Sequence, residues 1–352
     1  MINLYIGDFN YDSSYRSFLV DILKPIIPEK NLEKYQLSKF SFSIVNKSEE
    51  CDYFLLPYSW NYYIKTDNLS VAKLFIREAH KFKKKILIWV TGDYYYSLPQ
   101  NKNIIEFYTS PYKSIQKVNT IALPVIINDP LSFLNLECIN NKPYKNIPTV
   151  GFCGHVDSNL IISIFKMVNL AWQNIKYLLR IIPNYSGPLI SPTTMRKNIL
   201  DTLEGSNSIQ TEYIRRNKYQ GGKSKNTEEF SSLRKEFYQN INNSDYTLCI
   251  RGTGNFSTRF YETLAMGRIP IFINTDCILP LENEINWKEH VLWIEKTEIP
   301  EISNKILAFH KSMNNDSFID IQNKNRKLWE KYFSFPGYVN SLVHSLEEKM
   351  TR

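Results

Sequence analysis

Five cysteines among 352 residues make an odd number, and no two of them stand in a C-x-x-C pair. A zinc site and a disulfide framework are both without their usual spacing. Cys51, Cys153 and Cys249 flank or occupy apolar runs, where a buried free thiol is expected. That usage fits a reducing, cytoplasmic setting. No stretch reaches the roughly 18 consecutive apolar residues of a membrane span. The opening "MINLYIGDFNYDSS" lacks the basic start and apolar core of a leader. The expectation is a soluble chain, or one that touches a membrane only peripherally, at its inner face. Internal repeats and low-complexity tracts are absent. Like-charge runs are scarce, "KFKKK" (Lys81 to Lys85) being the one example.

The net charge is nevertheless +8. A basic balance suits nucleic acid, an anionic membrane surface or phosphorylated small molecules. Here the positive charge is spread along the chain, which argues against a nucleic-acid partner.

The length exceeds what one core usually organises, so two domains are expected. In the first half, "INLYIGD", "FSFSIVN", "DYFLLPYSW", "KILIWVTGD" and "IIEFYTS" read as short strands. Between the third and fourth, Val71, Leu74, Phe75 and Ala79 recur at helical spacing. Alternating strands and helices predict α/β architecture with a parallel sheet. Residues 1–130 are assigned to this first domain. Residues 131–148, rich in proline and asparagine, read as a linker. A second strand-turn-helix series begins at "TVGFCGHVDSN" and runs through 149–330, with a flexible basic loop after "TEYIRR". The tail, 331–352, is a helix after the break "FSFPG".

The richest segment is "YTLCIRGTGNFSTRFYETLAMGRIPIFIN". It reads as strand, glycine turn, helix, strand. Such a turn offers free N–H groups and a positive helix end to an anion. Gly252 and Gly254 let backbone approach a ligand, and Arg251 and Arg259 can add charge-assisted bonds to phosphate. Asn255, Arg259 and Glu262 recur on one helical stripe, and Glu262 suits neutral hydroxyls such as those of a ribose. An Arg259–Glu262 surface ion pair with glycines in an ordinary turn accounts for the same spacing, so the residues alone leave both readings open. Neither G-x-x-x-x-G-K-[ST] nor G-x-G-x-x-G is present, which weakens kinase, ATPase and dehydrogenase readings.

"LCIRGTGNFSTRFYETLAMGRIPIFINTDCILP", with "TVGFCGHV", "YIRRNKYQGG" and "LRKEFYQNINNSDYTLCIRG" upstream, resembles the exostosin-like glycosyltransferases of family 47. The resemblance covers roughly residues 148–295. It implies a GT-B fold: two facing Rossmann-like domains, acceptor on the first and nucleotide-sugar on the second, with the C-terminal helix packed back on the first. It implies inverting transfer from a nucleotide-diphosphate sugar, a UDP-sugar foremost, to a hydroxyl of an oligosaccharide or lipid-linked glycan in surface polysaccharide synthesis. It also implies no cofactor and no obligatory metal. A fucosyltransferase-like enzyme with a GDP donor and a non-catalytic nucleotide- or carbohydrate-binding protein are the alternatives.

On that basis Arg251, Arg259 and the N–H groups of Gly254, Asn255, Phe256 and Ser257 would hold the diphosphate, and Glu262 the ribose. Arg215 or Arg216 would reach the phosphates and His155 the donor. Arg259→Ala is expected to abolish transfer and leave the fold intact. A base should come from the first domain. Asp93, at the end of "ILIWVTG", is preferred, with Asp8 after "INLYIG" second.

Overall fold

The computed structural model describes residues 1–156, 160–189, 191–216 and 227–351. The basic loop expected after "TEYIRR" lies outside the described residues.

Thirteen strands, with their intervening helices, build two parallel sheets and one short link among the described residues. The first domain supplies β1 (Ile2–Tyr5), β2 (Phe42–Ile44), β3 (Tyr53–Leu55), β4 (Lys85–Val90), β6 (Ile104–Tyr108) and β7 (Thr120–Ala122). They lie in the order β2-β1-β3-β4-β6-β7, every pair parallel. Strand β4, "KILIWV", is apolar on both faces, as a strand covered by helices must be. The helices here are α1 (Trp60–Lys65) and α2 (Leu69–Lys81).

In α2 the buried residues are Ala72, Ile76 and Ala79, with Phe75 packed beside them, whereas Val71 and Leu74 are exposed. The expected helix is present, but its inner face is rotated from the one read in sequence. Two alanines let the helix axis approach the sheet closely, and that close approach outweighs burial of the larger Val71 and Leu74.

The second sheet has β10 (Gln210–Arg216), β8 (Thr149–His155), β11 (Tyr246–Cys249), β12 (Ile269–Asn274) and β13 (Leu292–Glu295), in that order and all parallel. Its helices are α4 (Leu160–Leu178), α5 (Pro192–Glu204), α6 (Thr227–Asn243), α7 (Thr258–Ala265), α8 (Ile302–Lys311) and α9 (Asn315–Tyr332). A short α3 (Pro130–Phe133) lies in the connection between the sheets. Strand order reverses between β8 and β11, so their carboxyl ends diverge and open a crevice, the usual ligand position in such sheets.

Two secondary-structure elements join the domains. Strand β5 (Tyr95–Tyr96) of the first pairs antiparallel with β9 (Asn184–Tyr185) of the second. Helix α10 (Phe335–Thr351) returns to the first core, where Tyr338, Val339, Leu342 and Leu346 are buried with β1, β3 and β4 residues. Tyr53 Oη donates to the Leu346 carbonyl at 2.7 Å. The architecture is thus two parallel α/β domains facing across a cleft, with a helical tail, as GT-B requires.

All five cysteines are free, four of them buried. Burial pushes the Cys249 thiol up to about 12, so it stays protonated and inert.

Candidate active site in the interdomain cleft

A cavity of ≈ 710 Å³ opens between the two sheets. That size lies within the roughly 300–1,000 Å³ of small-molecule sites. From the second domain it is walled by His155, which ends β8, and by Arg251 and Gly252, which follow β11. These are the two strands at the order reversal. From the first domain, Asp93 and Tyr94 come from the turn after β4.

Arg196 of α5 stitches the two strand ends together. Its Nη2 donates to the Arg251 carbonyl at 2.7 Å and its Nη1 to the His155 carbonyl at 3.3 Å. Sequence reasoning missed it, because "TTMRKNILDTLE" is an ordinary amphipathic helix with nothing to mark one arginine.

Arg251 is only 5 % exposed. Its Nη1 donates to Asn255 Oδ1 at 3.2 Å, and its Nη2 to Tyr112 Oη and the Thr253 carbonyl, each at 2.9 Å. The guanidinium also sits over the Tyr112 ring, 5.5 Å from its centroid. Its Nε has no partner, and none of the ion pairs among the described residues includes it. A cation this buried ordinarily faces a carboxylate. Here it faces neutral acceptors and a cleft, an arrangement suited to an incoming anion.

The two glycines beside it differ. A Cβ on Gly252 would meet nothing within 4 Å, so its backbone lies open to the cleft. A Cβ on Gly254 would lie 2.6 Å from Phe256 Cε1, 2.7 Å from Ser110 Oγ and 2.9 Å from Asp93 Cα. Gly254 is therefore where the two domains touch, and its N–H already donates to Asp93 Oδ1 at 3.2 Å.

Asn255 also joins the domains. Its Nδ2 donates to the carbonyls of Pro111 at 2.9 Å and Asp276 at 3.0 Å, and its Oδ1 accepts from Arg251 and from Thr275 Oγ1 at 3.0 Å. Phe256 and Ser257 continue the turn, and Ser257 stands at the N-cap of α7 with no side-chain capping bond.

The structure does not bring the other predicted charges to this cleft. Arg259 points beneath the strand ends: its Nη1 donates to the Leu248 carbonyl at 3.3 Å, its Nη2 to the Cys153 carbonyl, and it stacks on Phe152 at 4.4 Å. Gly154 makes room for it, since a Cβ there would lie 2.9 Å from Arg259 Nη2. Burial pushes the Arg259 guanidinium down from its ordinary value. Glu262, 1 % exposed, pairs with Arg234 Nη2 of α6 at 2.7 Å, with Tyr238 Oη 3.5 Å away. Burial pushes its carboxyl up, and Arg234 pulls it back. Of the expected ligand-facing stripe, Glu262 is internal, and Arg259 is half-buried with its guanidinium bonded to strand carbonyls. The reason is that α7 has no exposed side from Phe260 to Ala265, being enclosed by its own sheet, α9, α3 and α6.

Arg215 forms ion pairs with Asp201 at 2.8 Å and Glu204 at 2.7 Å on the outer side, and Arg216 pairs with Glu236. Both are occupied away from the cleft. Asp8 follows β1 at the corresponding reversal of the first sheet, but it is not among the residues walling the cleft. Among the described residues no cluster of His, Cys, Asp or Glu has the arrangement to hold a metal ion.

Residues 189–308 match the exostosin GT47 domain model. Over that third of its length the chain is similar to the exostosin-like glycosyltransferases of family 47. The matched GT47 region begins in the cleft wall just before α5 and contains β10, β11, α7, β12 and β13. Among curated relatives, Exostosin-1 of Drosophila melanogaster is 29% identical over 111 residues, 31% of this chain and 13% of that protein. Probable glucuronosyltransferase 47 A of Physcomitrium patens is 31% identical over 72 residues, 20% of this chain and 16% of that protein. The matched part of the chain thus spans only about an eighth to a sixth of their lengths. Among solved structures, the catalytic domain of starch synthase IV from Arabidopsis thaliana bound to ADP and acarbose is 12% identical, TM-score 0.28, covering 63% of this chain and 42% of that one. A TarM mutant of S. aureus with UDP is 10% identical, TM-score 0.32, covering 70% and 51%.

Proposed function

We propose that this chain transfers a sugar from a nucleotide-diphosphate donor to a hydroxyl of a glycan. The observation that carries the reading is Arg251: a buried cation with an unpartnered Nε and no carboxylate, walling a cleft at the strand-order reversal of the GT47 domain. The diphosphate lies against Arg251 and the open backbone of Gly252, and the sugar extends toward the first domain.

Asp93 is the base of the proposed step. Its carboxylate is exposed at the cleft, and its bond to the Gly254 N–H gives way to the acceptor hydroxyl. The acceptor oxygen forms a bond to C1 as the C1–O bond to the diphosphate breaks. The proton passes to Asp93, and the leaving charge is held by Arg251. One in-line displacement inverts the anomeric centre. Metal independence, a UDP donor and a cytoplasmic setting are part of the same proposal, the last supported by five free cysteines. Glu262 is left out of donor binding because Arg234 already holds it.

The test is a thermal-shift screen with UDP, GDP and CDP, since a ligand bound at 100 times its Kd stabilises by about 2.7 kcal/mol. It is followed by transfer assays with EDTA and with Asp93→Asn. The expected result is a shift with UDP, EDTA-resistant turnover, and loss of turnover in D93N with the UDP shift retained. Full activity in D93N removes Asp93 as base. Nucleotide binding without transfer or donor hydrolysis makes the chain a binding protein instead.

A further inference from the structure

Helix α4, with Leu179 just past its end, carries an apolar stripe that no described part of the chain covers. Ile164, Phe165, Val168, Trp172, Ile175 and Leu179 are all exposed, Phe165 at 72% and Trp172 at 54%. At 100° per residue they fall within about a third of the helix circumference, one continuous ridge. None of the hydrophobic clusters among the described residues includes an α4 side chain. An apolar surface of this extent on a soluble chain marks a docking face.

Its charge says what it docks to. From residue 160 to residue 200 the sequence contains no Asp or Glu, while Lys176 near the end of α4 and Arg180 just past it flank the stripe. Lys176 Nζ lies 5.5 Å from the centroid of the Trp172 ring. Aromatic and aliphatic residues on one face with lysine and arginine at its borders are the composition of a helix lying in a lipid interface. No described helix is long and apolar enough to cross a membrane. A second copy of the chain is the poorer occupant. A two-fold contact would set this acid-free, basic segment against itself, on a chain of net charge +8. An anionic lipid surface complements it.

We propose that the α4 stripe seats the protein on an anionic membrane, parallel to its surface. The opposite side of the same helix, with Lys166, Leu170 and Gln173, walls the cleft. Seating therefore holds the cleft one helix diameter, roughly 10–12 Å, from the lipid headgroups. The inference stands apart from sugar transfer, because its readout needs neither donor nor acceptor.

The test uses the full chain with vesicles of phosphatidylcholine alone or with added phosphatidylglycerol, followed by co-sedimentation and tryptophan emission. Trp172 is the one exposed tryptophan among six. Binding to the phosphatidylglycerol vesicles with a blue shift is expected, weakening as salt rises. The triple variant Phe165→Ser, Val168→Ser, Trp172→Ser should lose tenfold or more in partitioning at an unchanged melting temperature. Lys176→Glu with Arg180→Glu should lose binding to anionic vesicles only. Trp172→Phe should bind without the spectral shift. Failure of the wild type to bind anionic vesicles overturns the proposal, as does equal binding by both the triple-serine and the charge-reversed variants. A wild-type dimer that the serine variant dissolves, with no vesicle binding, reassigns the stripe to self-association.

Discussion

The glycines at 252 and 254 are two residues apart, and Gly→Ala should have opposite consequences at each. At Gly254 the new methyl would fall 2.6 to 2.9 Å from three atoms, two of them in the first domain. Carbon atoms pack at about 3.5–4.0 Å, so something must retreat by roughly 0.5–1 Å. The Phe256 ring can swing. Asp93 Cα is backbone, and Ser110 Oγ is tethered to the Gly92 carbonyl at 2.8 Å. Relief therefore requires the first domain's wall to move and the Asp93–Gly254 bond to break. Overpacking of this kind costs about 1–3 kcal/mol. Stiffening of the unfolded chain returns about 0.4–1 kcal/mol. The net loss is roughly 0.5–2 kcal/mol, or a melting temperature lower by about 1–8 °C. Gly252→Ala meets nothing within 4 Å and should melt at or slightly above the wild type. If the backbone there approaches a diphosphate, G252A should also lose its response to nucleotide. Differential scanning calorimetry, with and without UDP, reads both effects, and small-angle scattering reads any widening of the cleft. A G254A protein that melts with the wild type and keeps its scattering profile would refute the account of domain contact. Equal losses in both variants would show that crowding is not what separates them.

Arg251→Lys keeps the charge but not the planar fork, so nucleotide affinity by calorimetry should fall about tenfold or more; affinity within twofold of the wild type removes Arg251 from the diphosphate. Asn255→Asp turns a donor to two carbonyls into a carboxylate facing them and should cost about 1–3 kcal/mol in chemical denaturation, with an unchanged midpoint as the contrary result. Arg234→Ala leaves the Glu262 carboxylate buried and should cost roughly 2–4 kcal/mol at neutral pH. The folded state already holds that carboxyl above its ordinary 4.5, so its contribution to stability is largest in acid and declines as pH rises through the raised value. The deficit of R234A should therefore shrink as pH falls toward 4.5, and a pH-independent deficit argues against Glu262 as its origin. Arg259→Ala, expected from sequence to spare the fold, should instead lower the melting temperature, because Arg259 ties the ends of β8 and β11.

The alternation of apolar runs with helical spacing made the two parallel sheets legible, and the proline-rich stretch before Thr149 marked the change between them. Local chemistry also placed Arg251 and Gly252 at a strand end and Asp93 after β4. What sequence did not carry is the enclosure of α7. Arg234 lies 28 residues before Glu262, and Tyr112 lies 139 residues before Arg251. Spacing along one helix says nothing about a partner brought from such a distance. The pair β5–β9 escaped notice because two-residue strands have no period to detect.

The return of α10 has a consequence for how the protein is made. The first domain leaves the ribosome early, yet Tyr338, Val339, Leu342 and Leu346 belong to its core. Until those residues are synthesised, β1, β3 and β4 expose the apolar surface that α10 covers. The second domain can complete its sheet at β13, by residue 295, well before that. Domain closure should therefore run against the direction of synthesis, with the first-made domain the last to finish folding.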